Sequence, residues 1–200
     1  MKTLLHVGCG ADRITRTTPG FNNGSWEEIR LDINELNQPD VVGSMTDMSG
    51  VDSETIDAIF SSHNIEHLYI HEVSIALAEF KRVLKPEGFC VITCPDIQTV
   101  CELVAQDKLM EAAYQSPAGP ITPLDILYGH SNSIRDGNSY MAHRCGFTQR
   151  SISTVLKQSG FGSVAAMRRL QSFDLWAIAS KGNRAEDEMR LLANDHFPGQ

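Results

Sequence analysis

The sequence has no long apolar run. A membrane span needs about 20 consecutive apolar residues. The first candidate, Leu4-Leu5-His6-Val7, is cut off by Gly8. The same short run, although Lys2 precedes it, is too brief for a secretory signal. Basic residues are not in excess either: 17 Lys and Arg stand against 25 Asp and Glu, a formal net charge of −8. Nucleic-acid binding wants a basic face, so that partner class is not expected, and nor is a membrane. The five cysteines (Cys9, Cys90, Cys94, Cys101 and Cys145) are odd in number and hold no CxxC pair. They read as reduced thiols of a cytoplasmic protein, with Cys90 and Cys94 as small core residues. There is no internal repeat and no low-complexity tract.

What is present suits one domain over residues 1–200. The chain is 42% hydrophobic and 21% charged, enough for a real core and ordinary for a folded protein. Lys2 to Val7 reads as a buried strand running into the turn Gly8-Cys9-Gly10. Thr17-Thr18-Pro19-Gly20 and Asn22-Asn23-Gly24 then forbid a long helix, so the first crossover is mostly loop. Strands are expected at Glu28–Leu31, closing on Asp32, at Val41–Val42, at Thr55–Phe60 ending at Ser61-Ser62, and at Phe89–Thr93. A helix is expected from Glu72 to Leu84, stopped by Lys85-Pro86-Glu87-Gly88, and another over 97–114. Residues 115–146 carry Pro117, Gly119, Pro120, Pro123, Gly129, Gly137 and Gly146. So many breakers predict no regular structure, and a loop of that length is usually a lid or binding loop. A helix at Gln149–Ser159, strands near Ser163–Met167 and Phe173–Ala179, and a charged helix at Arg184–Asn194 complete the chain.

Strands alternating with helices imply a parallel sheet covered on both faces. Ligands of such sheets sit at the carboxyl ends of the strands. That rule gathers Gly8–Gly10, Asp32, Ser61–His63 and Pro95-Asp96 around one crevice. Two glycines after a strand let a ligand approach the backbone, although a plain tight turn would look the same. The dinucleotide fingerprint wants a third glycine where Asp12 stands, and an acidic Asp12 repels phosphate. The loop therefore suits a nucleoside without phosphates better than a nicotinamide dinucleotide. Asp32, roughly 20 residues further on, is placed to accept both ribose hydroxyls, or to cap a helix.

These residues carry a resemblance. Leu5-His6-Val7-Gly8-Cys9-Gly10, the Leu31-Asp32 strand end, Asp57-Ala58-Ile59-Phe60-Ser61-Ser62-His63-Asn64-Ile65-Glu66-His67 and Arg82-Val83-Leu84-Lys85-Pro86-Glu87-Gly88 resemble class I S-adenosylmethionine-dependent methyltransferases, in particular the small bacterial methyltransferase-11-like group. His143-Arg144-Cys145-Gly146-Phe147-Thr148, with Ser159-Gly160-Phe161 after it, is similar to the C-terminal part of small members. The resemblance implies an α/β, Rossmann-like seven-stranded sheet, mostly parallel, with helices on both faces and the last strand antiparallel. It implies S-adenosylmethionine as cofactor and S-adenosylhomocysteine as product. The cofactor contacts it implies are Gly8, Cys9, Gly10, Asp32, Ile33, Ser44, Met45, Asp47, Ser62 and His63. The sequence departs from the family at His6, where an acidic residue is usual, and at Asp12. The usual element ahead of the first strand has no counterpart.

The expected activity is methyl transfer to an oxygen or nitrogen of a small metabolite or glycan precursor, by a monomer or homodimer. Rival readings are a non-catalytic subunit that kept the fold, and a nicotinamide-dependent oxidoreductase. Alignment of acceptor, methyl carbon and sulfur does much of the work. An oxygen acceptor must also lose a proton, and His is the usual base near neutral pH. The candidates are His67, His130 and His143, with Tyr128 and Arg135 as shapers of the acceptor site. In related methyltransferases acting on small-RNA ends or quinone precursors, a Glu-x-x-Glu-His element at this place holds a divalent metal. Here His63, Glu66 and His67 occupy it, with His130 or His143 available to complete a site. The expectation is nevertheless no metal, with Glu66 and His67 packing under the lid. Asp96 either touches the acceptor or caps the following helix.

Overall fold

Leu4, Leu5 and Val7 are all fully buried, so the first strand is covered on both faces rather than one, the mark of a central parallel strand. The computed structural model describes residues 1–199. In chain order its elements are β1 (Lys2–Val7), β2 (Trp26–Asp32), β3 (Val41–Val42), β4 (Ile56–Ser62), α1 (Ile70–Val83), β5 (Leu84–Pro95) and α2 (Ile97–Ala105). There follow β6 (Tyr114–Ser116), β7 (Gly119–Ile121), α3 (Pro123–Tyr128), α4 (Ser131–Arg135), α5 (Gln149–Gln158), β8 (Ser163–Arg169), β9 (Asp174–Ser180) and α6 (Glu186–His196). Seven strands make one sheet in the order β3-β2-β1-β4-β5-β9-β8. The pairs from β3 to β5 are parallel, and β9 lies antiparallel to both β5 and β8. This is a Rossmann-like α/β sheet whose last strand alone is reversed. Among the described residues no helix is long and apolar enough to cross a membrane.

The sheet alternates its side chains between two cores. On one face Leu5, Val7 and Ile59 pack with Leu77 and Phe80 of α1 and Ile152 and Leu156 of α5. On the other, Leu4, Ala58, Phe60 and Phe89 pack with Phe21 and with Met189 of α6. The first crossover supplies only a 3₁₀ turn at Ile14–Arg16. Phe21 and α6 therefore cover the area that a crossover helix usually covers. The Phe21 ring lies 4.2 Å from that of His196, which closes the C-terminal end of α6.

Three stretches differ from the sequence-based expectation. The helix expected over 97–114 ends at Ala105. Asp107 takes a left-handed conformation there, φ 62°, which Asp tolerates better than most residues, and its N–H caps the Val104 carbonyl. Residues 115–146 are not without regular structure. β6 and β7 form a hairpin around Pro117-Ala118, and α3 starts on Pro123 behind a Thr122–Asp125 capping box. The breakers mark the ends of short elements: Pro at a first helical turn and Gly129 and Gly137 at helix ends, with φ near +98°. Finally, Lys85–Gly88 ends α1 as expected but stays within β5 as a bulge, because Ile56 pairs with Leu84 while Ala58 pairs with Phe89.

His196 is buried, and its Nδ1 lies 2.6 Å from the Thr18 hydroxyl. Burial pushes its pKa down to about 4, with Asp195 only partly offsetting. The unfolded chain thus binds a proton that the folded chain refuses between the ordinary value of 6.5 and about 4. Stability from this group is complete above 6.5 and is lost as the pH falls. Between pH 7 and pH 5, urea melts should show a drop in stability larger in the native chain than in His196→Asn by on the order of 2 kcal/mol. Equal pH slopes for the two proteins would refute this.

Candidate active site

β2 carries one residue that organises the carboxyl edge of the sheet. Arg30 is 1% exposed, at a strand position where an apolar side chain would be ordinary. Its guanidinium donates to the carbonyls of Gly10, Asp12, Asn37 and Gln38. One planar fork thereby ties the loop after β1 to the loop after β2. Beside it the buried His6 pairs with Glu28 at 2.8 Å, and burial holds its pKa below the ordinary value.

The glycine loop is set by close approach. Gly8 adopts φ +63°, and a Cβ there would fall 2.1 Å from Oδ1 of Asn64. Asn64 in turn donates to the carbonyls of Val7 and Ser62, at 3.1 and 2.9 Å, and so joins the ends of β1 and β4. Asp32 accepts the Gly10 N–H at 2.7 Å through Oδ2 and the Asn34 N–H at 2.8 Å through Oδ1. Both oxygens are fixed, and each keeps a lone pair for a further donor. After β4 the chain turns through His63 at φ +54°, a conformation a non-glycine residue adopts only when its surroundings impose it.

Between these strand ends lies a cavity of about 510 Å³, a size usual for small-molecule sites. Gly8, Gly10, Asp32, Ile33, Ser44, Met45, Ser62 and His63 line it, as does His67. Tyr128 and Arg135, expected to shape the acceptor site, do not line it, and four of the expected cofactor contacts and bases are not brought to this wall either. Cys9 is turned into the core, where burial raises its thiol to about 11. Asp47 closes a turn, its N–H on the Ser44 carbonyl and its carboxylate on the Ser49 N–H. His130 shares a hydrogen bond with Ser133 within α4. His143 sits behind His67, their ring centroids 5.0 Å apart. Pro95-Asp96 is also absent from the wall. Asp96 caps α2 and pairs with Arg168 at 2.6 Å. Asn64, Asn138, Tyr140, Met141 and Arg144 line the cavity without having been singled out for it. Arg144 lies over the Tyr69 ring, 4.9 Å from its centre.

At the inner wall Glu66, His67 and His143 converge, each offering a ligand atom within 4.8 Å of the others. Glu66 is fully buried, and neither of its side-chain oxygens has a hydrogen-bond partner. Burial works against its charge, while His63 and His67 favour it and leave the carboxyl below its ordinary range. Burial also lowers His143, so its ring is neutral at pH 7. The Nδ1 of His143 donates to the Ile126 carbonyl at 2.8 Å.

Residues 5–92 match the family model described as a methyltransferase domain. That stretch carries a methyltransferase domain. It spans β1 to β5, hence every strand end around the cavity. Among curated proteins none matches the sequence. The chain is similar in fold to a crystal structure of the 1,6-didemethyltoxoflavin N1-methyltransferase of Burkholderia thailandensis with bound 1,6-didemethyltoxoflavin and S-adenosylhomocysteine. There the TM-score is 0.58 and the identity 16%, over 90% of this chain and 71% of that one. It is also similar to the PH0226 protein of Pyrococcus horikoshii, with TM-score 0.60, identity 15%, and 89% and 81% covered. A third structure is a SAM-dependent methyltransferase of Archaeoglobus fulgidus, with TM-score 0.54, identity 15%, and 90% and 86% covered. At such identities the likeness speaks for the fold. The fold is thus one shared with S-adenosylmethionine-dependent methyltransferases, in agreement with the family match over residues 5–92.

Arg30→Lys keeps the charge but not the fork. Carbonyls left without donors cost about 1–3 kcal/mol each. Denaturant unfolding should show a loss of about 3 kcal/mol or more with an unchanged slope. A loss under about 1 kcal/mol would mean the loops are held some other way.

Proposed function

We propose that the chain transfers the methyl group of S-adenosylmethionine to an oxygen or nitrogen of a small metabolite or glycan precursor. The observation that carries this is the Asp32 carboxylate, fixed by two backbone N–H groups at the rim of the cavity, beside Gly8 and Gly10. A ribose offers two hydroxyl donors to such an acceptor pair. In this reading adenine lies between Ile33 and Met45, near Ser44. The methionine end follows the glycine loop, and the sulfonium points toward Ser62 and His63.

The acceptor then enters from the side of His63, His67, Tyr140 and Arg144. Its lone pair forms the new bond to the methyl carbon as the carbon–sulfur bond breaks, and both electrons of that bond stay on sulfur. S-adenosylhomocysteine leaves uncharged, and the acceptor's proton must go elsewhere. Among the histidines proposed from sequence, His67 faces the cavity, with His143 behind it, while His130 does not line it. Proton handling is assigned to the Glu66–His67–His143 cluster. Residues 115–146 serve as the cover of the acceptor end of a single domain over 1–200, working as a monomer or homodimer in the cytoplasm.

Calorimetric titration with S-adenosylhomocysteine tests the cofactor site. The native chain should bind. Asp32→Ala should lose about 2 kcal/mol or more, as for a removed charge-assisted hydrogen bond, which is roughly a 30-fold weaker Kd. No binding by the native chain would end the methyltransferase reading. Binding by the native chain with an unchanged affinity in the variant would move the ribose away from Asp32.

A further inference from the structure

Among the described residues that line the cavity, Arg144 is the only lysine or arginine. Its main chain is pinned to the turn after β4: the N–H groups of Arg144 and Cys145 both sit on the Glu66 carbonyl, at 2.8 and 3.2 Å. Its guanidinium carbon lies over the Tyr69 ring, 4.9 Å from the centre. Tyr69 is itself anchored. Its N–H donates to Glu72 at 2.8 Å at the start of α1, and its ring stacks on that of His71, centroids 5.8 Å apart. Anchor and platform together hold one positive charge at the acceptor end.

That charge has no partner in the protein. Among the described residues no carboxylate lies within 4.0 Å of the Arg144 guanidinium, although five other arginines have one. The chain is not short of acids, with 25 Asp and Glu against 17 Lys and Arg. The two acidic side chains on the cavity wall are committed elsewhere. Asp32 holds the N–H groups of Gly10 and Asn34, and Glu72 caps α1 through the Tyr69 N–H. A guanidinium stacked on an aromatic face keeps its N–H edge free. That edge is a planar fork whose spacing matches two oxygens of a carboxylate or phosphate. Asn138 and Tyr140, from the same segment, bring an amide and a phenol to the same wall. The acceptor end is thus furnished with donors and one fixed cation.

We propose that Arg144 is the anchor of an acidic acceptor: the small molecule methylated here carries a carboxylate or phosphate that seats on the Arg144 fork beside Tyr69. This rests on the methyltransferase reading and narrows its substrate class to anions. The cofactor has a carboxylate too, but in the proposed pose its methionine end follows the glycine loop and leaves Arg144 to the acceptor. Holding the acceptor by a group away from its reacting atom fixes the direction from which that atom meets the methyl carbon. Such alignment is much of what methyl transfer needs. No proton moves at Arg144, whose guanidinium stays charged throughout.

The test is calorimetric, on the full chain loaded with S-adenosylhomocysteine. The probes are benzoate and phenyl phosphate, with benzamide as the neutral match of benzoate. One equivalent of an anion should bind, and benzamide should bind about 10-fold more weakly or worse. The tighter of the two anions tells carboxylate from phosphate. Arg144→Met keeps an apolar stem beside Tyr69 and removes the fork, and circular dichroism checks that it folds. It should keep the native affinity for S-adenosylhomocysteine and lose the preference for the anion. Arg144→Lys keeps the charge without the fork and should recover only part of that preference. Equal binding of anions and benzamide by the native chain, or no binding of any, overturns the proposal. A preference that survives in Arg144→Met also overturns it, by placing the anion elsewhere, for instance on the half-exposed His63. Weaker S-adenosylhomocysteine binding by Arg144→Met overturns it as well, because the guanidinium then belongs to the cofactor's own carboxylate. Failure of the native chain to bind S-adenosylhomocysteine sinks the methyltransferase reading instead, and the anion titrations repeated without it still decide whether Arg144 holds an oxyanion.

Discussion

The buried Arg30 guanidinium is the constraint on which the carboxyl edge of the sheet depends. A charge that is 1% exposed has lost its water, and here it recovers hydrogen bonds from four carbonyls that would otherwise be poorly satisfied. Arginine can do this because its donors lie in one plane with fixed spacing. Lysine would offer a single point. The consequence is geometric. With the Gly10 carbonyl held inward, the Gly10 N–H points at Asp32. Asp32 then has its second oxygen on Asn34, and the rim of the cavity is set before any ligand arrives. Preorganisation of this kind lowers the ordering cost of binding.

The parallel sheet explains why such a rim exists. Parallel strands deliver every chain end of β1, β2, β3 and β4 to the same edge, and those four ends make the cofactor side. The price of a first crossover without a helix is an uncovered sheet face. Phe21, Trp26, Phe89 and α6 fill it with an aromatic cluster. The C-terminal helix is thus part of the core around β1, not an appendage to the last strand.

The parallel half of the fold was legible because its signals are local and strong. Short apolar runs gave the strands, closed by Gly8 after β1, by Asp32 at the end of β2 and by Ser61-Ser62 at the end of β4, and the Arg82–Gly88 stretch marked where α1 stops. Most bounds shifted by a residue or two, but β5 starts five residues early, at Leu84, and ends at Pro95. Arg30 was not legible. A single charged residue in a strand looks like a solvent-facing one, and only the partners supplied by two distant loops make it buried. The same holds for Asn64, whose clash with any side chain at position 8 is a three-dimensional fact. The segment 115–146 misled for another reason. Its prolines and glycines were counted as breakers, although Pro123 opens a helix and Gly129 closes one. A Cβ on Gly129 would meet the Met141 carbonyl at 1.9 Å, so that glycine marks a close packing of the segment on itself.

The two ends of the cavity are built by different physics. The cofactor end is held by backbone groups and one buried arginine, and it tolerates little change. The acceptor end is hung on the turn after β4 by main-chain bonds, the N–H groups of Arg144 and Cys145 on the Glu66 carbonyl, and is braced within itself by that of His143 on Tyr128. Main-chain bonds do not depend on which side chains the segment carries. Tyr140, Met141 and Arg144 can therefore be replaced without disturbing the rim around Asp32. Glu66 is the point where the ends meet. Its carbonyl anchors the segment while its orphaned carboxylate faces the histidines. Whatever satisfies that carboxylate sits on the same residue as the anchor, so its state is coupled to the position of the acceptor wall.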